Sequence, residues 1–187
     1  WAASQPLESS VSRPNRQSGG ARSTQTLAMS FPAPHSIPPQ LFAVEGNCGP
    51  IAAWMALRHF RKRVALAHLI KLCRHTKKYG TFTVAIAVAL KRCGLSPVFH
   101  TEDDSQLTRI EISSYKAASA LGIPILPPLS VDQLRLHVQS GAFVIVLFDA
   151  EDGEAHFSPV ASISDHEITF PYGNEESLPL PTFLARW

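Results

Sequence analysis

Cysteine is scarce in this chain: three in 187 residues, at Cys48, Cys73 and Cys93. An odd, low count argues against a disulfide framework. No Cys-x-x-Cys pair occurs, and no His/Cys cluster has the spacing of a zinc site. The expectation is a reduced chain that needs no metal and no cofactor. An excess of one charge is also missing. With 17 basic and 15 acidic side chains the net charge is +2, too balanced to imply a nucleic-acid or anionic-membrane partner. No apolar run approaches the ~20 residues of a membrane span. The N-terminus lacks the basic, apolar, small-residue order of a signal peptide. It opens on Trp1 rather than Met, which reads as a processed product or a piece of a longer polypeptide. The compartment is left open between a domain delivered within a larger secreted protein and a cytoplasmic one.

What the chain does have is an apolar fraction of 45%, enough to build a core in a domain of roughly 140 residues. Residues 1–38 differ in texture. "SQPLESSVSRPNRQSGGARSTQT" is rich in Ser, Gln, Arg, Pro and Gly and reads as a disordered or extended tail or linker. "FPAPHSIPPQ" carries four prolines in ten residues and favours an extended lead-in. Residues 39–187 read as the folded domain.

Within it, "CGPIAAWMALRHF" predicts a helix starting at Cys48 or Gly49, with Pro50 in the first turn where its missing N–H costs nothing. "VALAHLIKLCRH" and "TFTVAIAVALKRCG" predict two more helices, the latter ended by Gly94. "SPVFHT" reads as a short strand, and residues 105–121 as a helix stopped by Pro124. "SVDQLRLHVQSG" predicts a helix capped by Ser130 and ended at Gly141. "AFVIVLFD", "AHFSPVASIS" and "HEITFPY" predict three strands, with Asp165-His166 turning between the last two, and "LPTFLARW" a terminal helical turn. Helices first and an antiparallel sheet after them make an α+β arrangement with segregated halves.

Cys48 is the residue with chemical potential. A thiolate is the nucleophilic form, a free cysteine has a pKa of about 8.5, and a helix N-terminus or a paired imidazolium lowers it. The first-turn N–H groups that favour the thiolate also suit an oxyanion. From spacing alone a buried small hydrophobe fits Cys48 about equally well. Cys73 and Cys93 lie on apolar helix faces and read as core. Of eight histidines, His156 stands out: it opens a strand directly after the polar turn "DAEDGEA", where a side chain can reach a cleft while the strand holds its backbone. His59 and His68 read as helix-surface residues and His166 as a solvated turn residue.

"GNCGPIAAWMALRHF", "GTFTVAIAVALKRCGL", "AHFSPVASISDHEITFPYG" and "FLARW", in that order, resemble the papain-like cysteine peptidases related to the double-glycine-leader (bacteriocin-processing) peptidases. "HFSP", about a hundred residues after the cysteine, is also similar to phytochelatin synthases, papain-like transpeptidases. The resemblance spans roughly residues 40–187 and implies a papain-like fold, a Cys48 nucleophile, a His156 base and a peptide or protein substrate. Two departures accompany it. The acid or amide that orients the imidazole in this family is replaced by Phe170 in "TFPYG", leaving Asn174 as the candidate third residue. The family's oxyanion glutamine commonly stands six residues before the cysteine; here that position is Phe42, which leaves Gln40, eight before, or Asn47.

Three functions follow from the resemblance. The first is a thiol hydrolase cleaving a peptide or isopeptide bond through a Cys48–His156 dyad or triad. The second is a papain-like glutamine deamidase or acyl transferase, such as a secreted bacterial effector or toxin domain uses. The third is a catalytically degenerate domain that binds peptides in the old cleft. A fold alone does not separate these.

Overall fold

The computed structural model describes residues 31–150, 153–173 and 175–187, and the backbone of residues 2–4. In chain order its elements are β1 (Ala2–Ser4), α1 (Pro39–Phe42), α2 (Cys48–His59), α3 (Leu66–Leu72), α4 (Thr83–Arg92), β2 (Ser96–His100), α5 (Arg109–Ala120), β3 (Ile125–Leu126), α6 (Val131–Gln139), β4 (Phe143–Asp149), β5 (Ala155–Pro159), β6 (Ser162–Ile163), β7 (Glu167–Thr169), β8 (Ser177–Pro179) and α7 (Leu180–Arg186). The mixed α+β class agrees with the expectation. The helices do not all precede the strands, however, because α5 and α6 alternate with β2, β3 and β4.

Two sheets form. One has the order β3-β2-β1-β4-β5, the other β6-β7-β8. The first is not purely antiparallel: β2 and β3 pair parallel. The predicted single strand "AHFSPVASIS" is two strands, and the chain changes sheets between them. Pro159 lacks the N–H that would prolong a ladder; Val160 still donates to Val144 O at 2.9 Å, and Ala161 N already bonds Thr169 O at 2.8 Å.

The run Phe143–Phe148 explains how the body is built. Its alternate residues feed two cores: Phe143 and Ile145 pack with α2, α4 and α5, while Val144, Val146 and Phe148 pack with α6, α7 and the second sheet. A strand covered on both faces is apolar throughout rather than alternating. The same logic applies to α2, which is buried continuously from Gly49 to Leu57. It lies between β5 on one side and α3 and α4 on the other, so no polar stripe is needed. Capping is local and legible: Thr108 with Glu111 and Ser130 with Gln133 each form a reciprocal capping box at the start of α5 and α6.

The N-terminal boundary lies earlier than residue 39. Phe31 packs on Phe143 with ring centroids 5.4 Å apart, and Ile37 is a fully integrated member of the first core. A 3₁₀ turn at Pro34–Ser36 and the short helix α1 replace the expected extended lead-in. Residues 2–4 pair with both β2 and β4, so the segment read as a tail also contributes a strand; residues 5–30 lie outside the described residues.

Candidate functional site

Cys48 is the first residue of α2 and Asn47 its N-cap. The first intrahelical bond runs from Ile51 N to Asn47 O at 3.0 Å. The N–H groups of Cys48 and Gly49 therefore have no acceptor within the helix, and Pro50 has no N–H to satisfy. They give the helix mouth its partial positive charge, and the half-buried Cys48 thiol stands there. Asn47 makes no side-chain capping bond, which leaves its amide available for other acceptors.

The helix mouth is held from behind by the loop that precedes α4. A Cβ on Gly49 would lie 2.7 Å from Thr81 Cβ, so only glycine lets the two segments approach this closely. Buried Thr81 is tied in turn to His75, whose Nδ1 lies 3.1 Å from Thr81 Oγ1. Neither Thr81 nor His75 was singled out by sequence pattern. A tertiary contact between a glycine and a threonine 32 residues on has no local signature.

His156 sits on β5, opposite Phe148 of β4. The two rings meet edge-on, centroids 5.8 Å apart at 76°. The link to Cys48 is the segment after β7. It crosses from the second core, where Phe170 is buried, to the first, against which Tyr172 packs. Ser158, buried on β5, anchors the crossing by donating from Oγ to Tyr172 O at 3.1 Å. Burial pushes the Tyr172 phenol above its ordinary value, and the neighbouring Cys48 charge adds to that. The next residue, Gly173, has φ +137°, and a Cβ there would lie 3.5 Å from His156 Nε2. Cys48 thus lies near Tyr172 and His156 near Gly173, so both neighbour one dipeptide at the seam between the two cores. Arg186 of α7 pairs with Glu175 at 2.9 Å just beyond it.

The remaining predicted positions divide. Phe42 stands six residues before Cys48 and turns its ring toward Tyr172, centroids 6.1 Å apart. Gln40 is exposed on the same short helix. Successive residues of an α-helix are about 100° apart, so Gln40 lies on the side away from Phe42 and Tyr172. Phe170 is buried and stacks on Phe148, centroids 5.1 Å apart and planes at 12°. Asn174 lies outside the described residues. Cys73 is fully buried, and burial, reinforced by neighbouring Cys93, pushes its thiol up to about 12. Cys93 is also raised by burial. Both behave as packing residues. His68 and His166 are exposed, while His59 lies in an aromatic cluster with Phe31, Phe60 and Phe143.

Among the described residues, no group of three or more His, Cys, Asp and Glu is placed to hold a metal ion. No helix among them is long and apolar enough to cross a membrane. No family model, no curated protein and no solved structure matches the chain.

Proposed function

We propose that the chain is a papain-like thiol hydrolase that cleaves a peptide or isopeptide bond, with Cys48 as nucleophile and His156 as its base. The observation that carries this reading is the position of Cys48 at the mouth of a buried helix, near Tyr172, whose neighbour Gly173 lies by His156. In the reaction, the Cys48 sulfur attacks the substrate carbonyl carbon and His156 takes the thiol proton. The tetrahedral oxyanion accepts from the Cys48 N–H and the Asn47 side-chain amide. His156 returns the proton to the leaving amine as the C–N bond breaks, leaving a thioester. Water, deprotonated by His156, then releases the acid and frees Cys48.

Alkylation with iodoacetamide at pH 6 tests the nucleophile, followed by mass mapping of each cysteine. Cys48 is expected to label first, while Cys73 and Cys93, whose thiols are pushed up by burial, stay unmodified. Slow labelling of Cys48 and Cys93 alike would refute the proposal. Incubation with candidate protein substrates then distinguishes the chemistry: two fragments mark hydrolysis, whereas an intact chain heavier by about one dalton per site marks deamidation through the same thioester.

A second reading is favoured by two side chains. Phe42 and Phe170 occupy the positions where the resembled family carries its oxyanion amide and its imidazole-orienting residue, and both are apolar. Without those two polar groups, a domain that binds peptides without cutting them is the alternative. The labelling experiment separates the two readings, because only the enzyme needs a thiolate at pH 6.

A further inference from the structure

Tyr172 is half-buried against the first core, as Cys48 is, and its position is fixed from three sides. Its main-chain oxygen accepts from Ser158 Oγ at 3.1 Å, and Ser158 is buried on β5, the strand that packs against α2. Its ring meets that of Phe42 on α1, centroids 6.1 Å apart at 57°. Its neighbour Gly173 lies by His156, where a Cβ would be 3.5 Å from Nε2. The residue is thus tied to the helix that leads into the Cys48 loop and to the strand that carries the base, and it comes near the thiol itself.

These contacts account for the ring and backbone of Tyr172 but not for its hydroxyl. A phenylalanine would pack on Phe42 as well; tyrosine adds a polar tip, which usually finds a hydrogen-bond partner when enclosed. Among the described residues no hydrogen bond ends on the Tyr172 hydroxyl, since the bond from Ser158 uses the main-chain oxygen. Nor is that hydroxyl sealed in: the buried, unpartnered side-chain atoms are His75 Nε2 and Arg135 Nε. Burial and the neighbouring Cys48 charge both raise the phenol above its ordinary value, so at neutral pH it keeps its proton and can donate. An ordered donor, open to a ligand and close to a thiol, lies where charge develops on a carbonyl under attack.

We propose that Tyr172 is a further catalytic residue, its hydroxyl donating a hydrogen bond to the oxyanion formed when Cys48 attacks a carbonyl. The inference rests on the reading of Cys48 as the nucleophile. As the sulfur–carbon bond forms, the carbonyl π pair moves onto oxygen, and the Tyr172 O–H donates to that oxygen beside the Cys48 N–H and the Asn47 amide. The phenol proton stays on Tyr172. When the pair returns to carbon, the C–N bond breaks, and the leaving amine takes the proton that His156 holds. Because Tyr172 and Gly173 are consecutive, one turn carries a donor for the oxyanion and lies by the base.

The test compares two reactions of one thiol. p-Nitrophenyl acetate acylates the sulfur through a tetrahedral oxyanion and releases p-nitrophenolate, whereas iodoacetamide alkylates it at a saturated carbon, expelling iodide with no oxyanion. Native, Tyr172→Phe and Cys48→Ala proteins are each held in excess over the ester, p-nitrophenolate is followed by absorbance, and the Cys48→Ala rate is subtracted. Tyr172→Phe keeps the ring on Phe42 and removes only the hydroxyl. It is expected to slow acylation by about tenfold or more while alkylation of Cys48 stays within about twofold of the native rate. Equal acylation of the two proteins overturns the proposal. A matching loss in both reactions also overturns it, and assigns Tyr172 to shaping the surroundings of the thiol. Slow alkylation of native Cys48 at pH 6 is a different failure: it overturns the reading of Cys48, and the role of Tyr172 falls with it.

Discussion

Phe148 and Phe170 stack face to face at 5.1 Å, and the edge of Phe148 meets the His156 ring. The imidazole is therefore backed by an aromatic layer, which Phe183 extends with a further edge contact to Phe148 at 5.8 Å. This layer holds the ring in place by packing. Phe170→Ala is expected to cost about 3–5 kcal/mol, the usual range for a buried phenylalanine. Phe170→Asp should cost more, because a carboxylate there is desolvated between two phenyl rings, and it should not speed alkylation of Cys48. Urea denaturation and a labelling time course measure the two effects; faster labelling in the Asp variant would show that the position does face the imidazole.

Gly173 has a backbone conformation that L side chains rarely adopt and lies against His156 Nε2. Gly173→Ala is expected to lower stability by about 1 kcal/mol or more, because an L side chain at φ +137° is strained, and to reduce turnover as the strained turn shifts beside the imidazole; the methyl itself would meet His156 Nε2 at an ordinary contact distance of 3.5 Å. A thermal melt together with kcat and KM measures this. A fall in kcat at unchanged KM is the expected pattern, because the shift affects proton transfer rather than substrate binding.

Asn47 and Gln40 separate cleanly. Asn47→Ala should leave stability within about 0.5 kcal/mol, because its side chain makes no capping bond, yet lower kcat by about 10²–10³ through loss of an oxyanion donor. Gln40→Ala should change neither, given its exposed position away from Tyr172. Steady-state kinetics of the two variants decide between them, and a larger loss from Gln40→Ala would reverse the assignment.

Cys73 gives the protein a defined alkaline sensitivity. Its thiol is pushed from the usual value near 9 to about 12 in the folded state. Below pH 9 the thiol is neutral in both states and contributes no pH dependence. Between pH 9 and about 12 the unfolded chain loses this proton while the folded chain keeps it, so stability falls as pH rises. The loss from this group is at most about 4 kcal/mol. Denaturation midpoints measured from pH 8 to 11 should fall more steeply in the native protein than in Cys73→Val, which has nothing to titrate there.

Much of this fold was legible before any coordinates. The limits of α2 follow from Cys-Gly-Pro at one end and the basic turn at the other. Thr108 and Ser130 start α5 and α6 through capping bonds made within four residues. Such features depend on neighbours along the chain, and sequence displays neighbours directly. Strand pairing does not work that way. Ala2–Ser4 carries no apolar pattern that marks it as a sheet strand, and its place between β2 and β4 comes from partners about 95 and 140 residues distant. The division of "AHFSPVASIS" into two strands likewise depends on which sheet claims the backbone after Pro159.

The candidate site divides along the same line. Sequence by itself determined that Cys48 opens a helix and that His156 begins a strand, since both rest on local turn and helix signals. It also marked Phe42 and Phe170 as apolar residues at two positions where polar ones were expected. Only tertiary structure decided that Tyr172 comes near Cys48 and Gly173 near His156, that Thr81 fills the space a side chain at position 49 would need, and that Phe170 belongs to an aromatic stack. Those outcomes depend on how two cores meet along the edge of β5, and packing between segments far apart in the chain leaves no periodic trace in either.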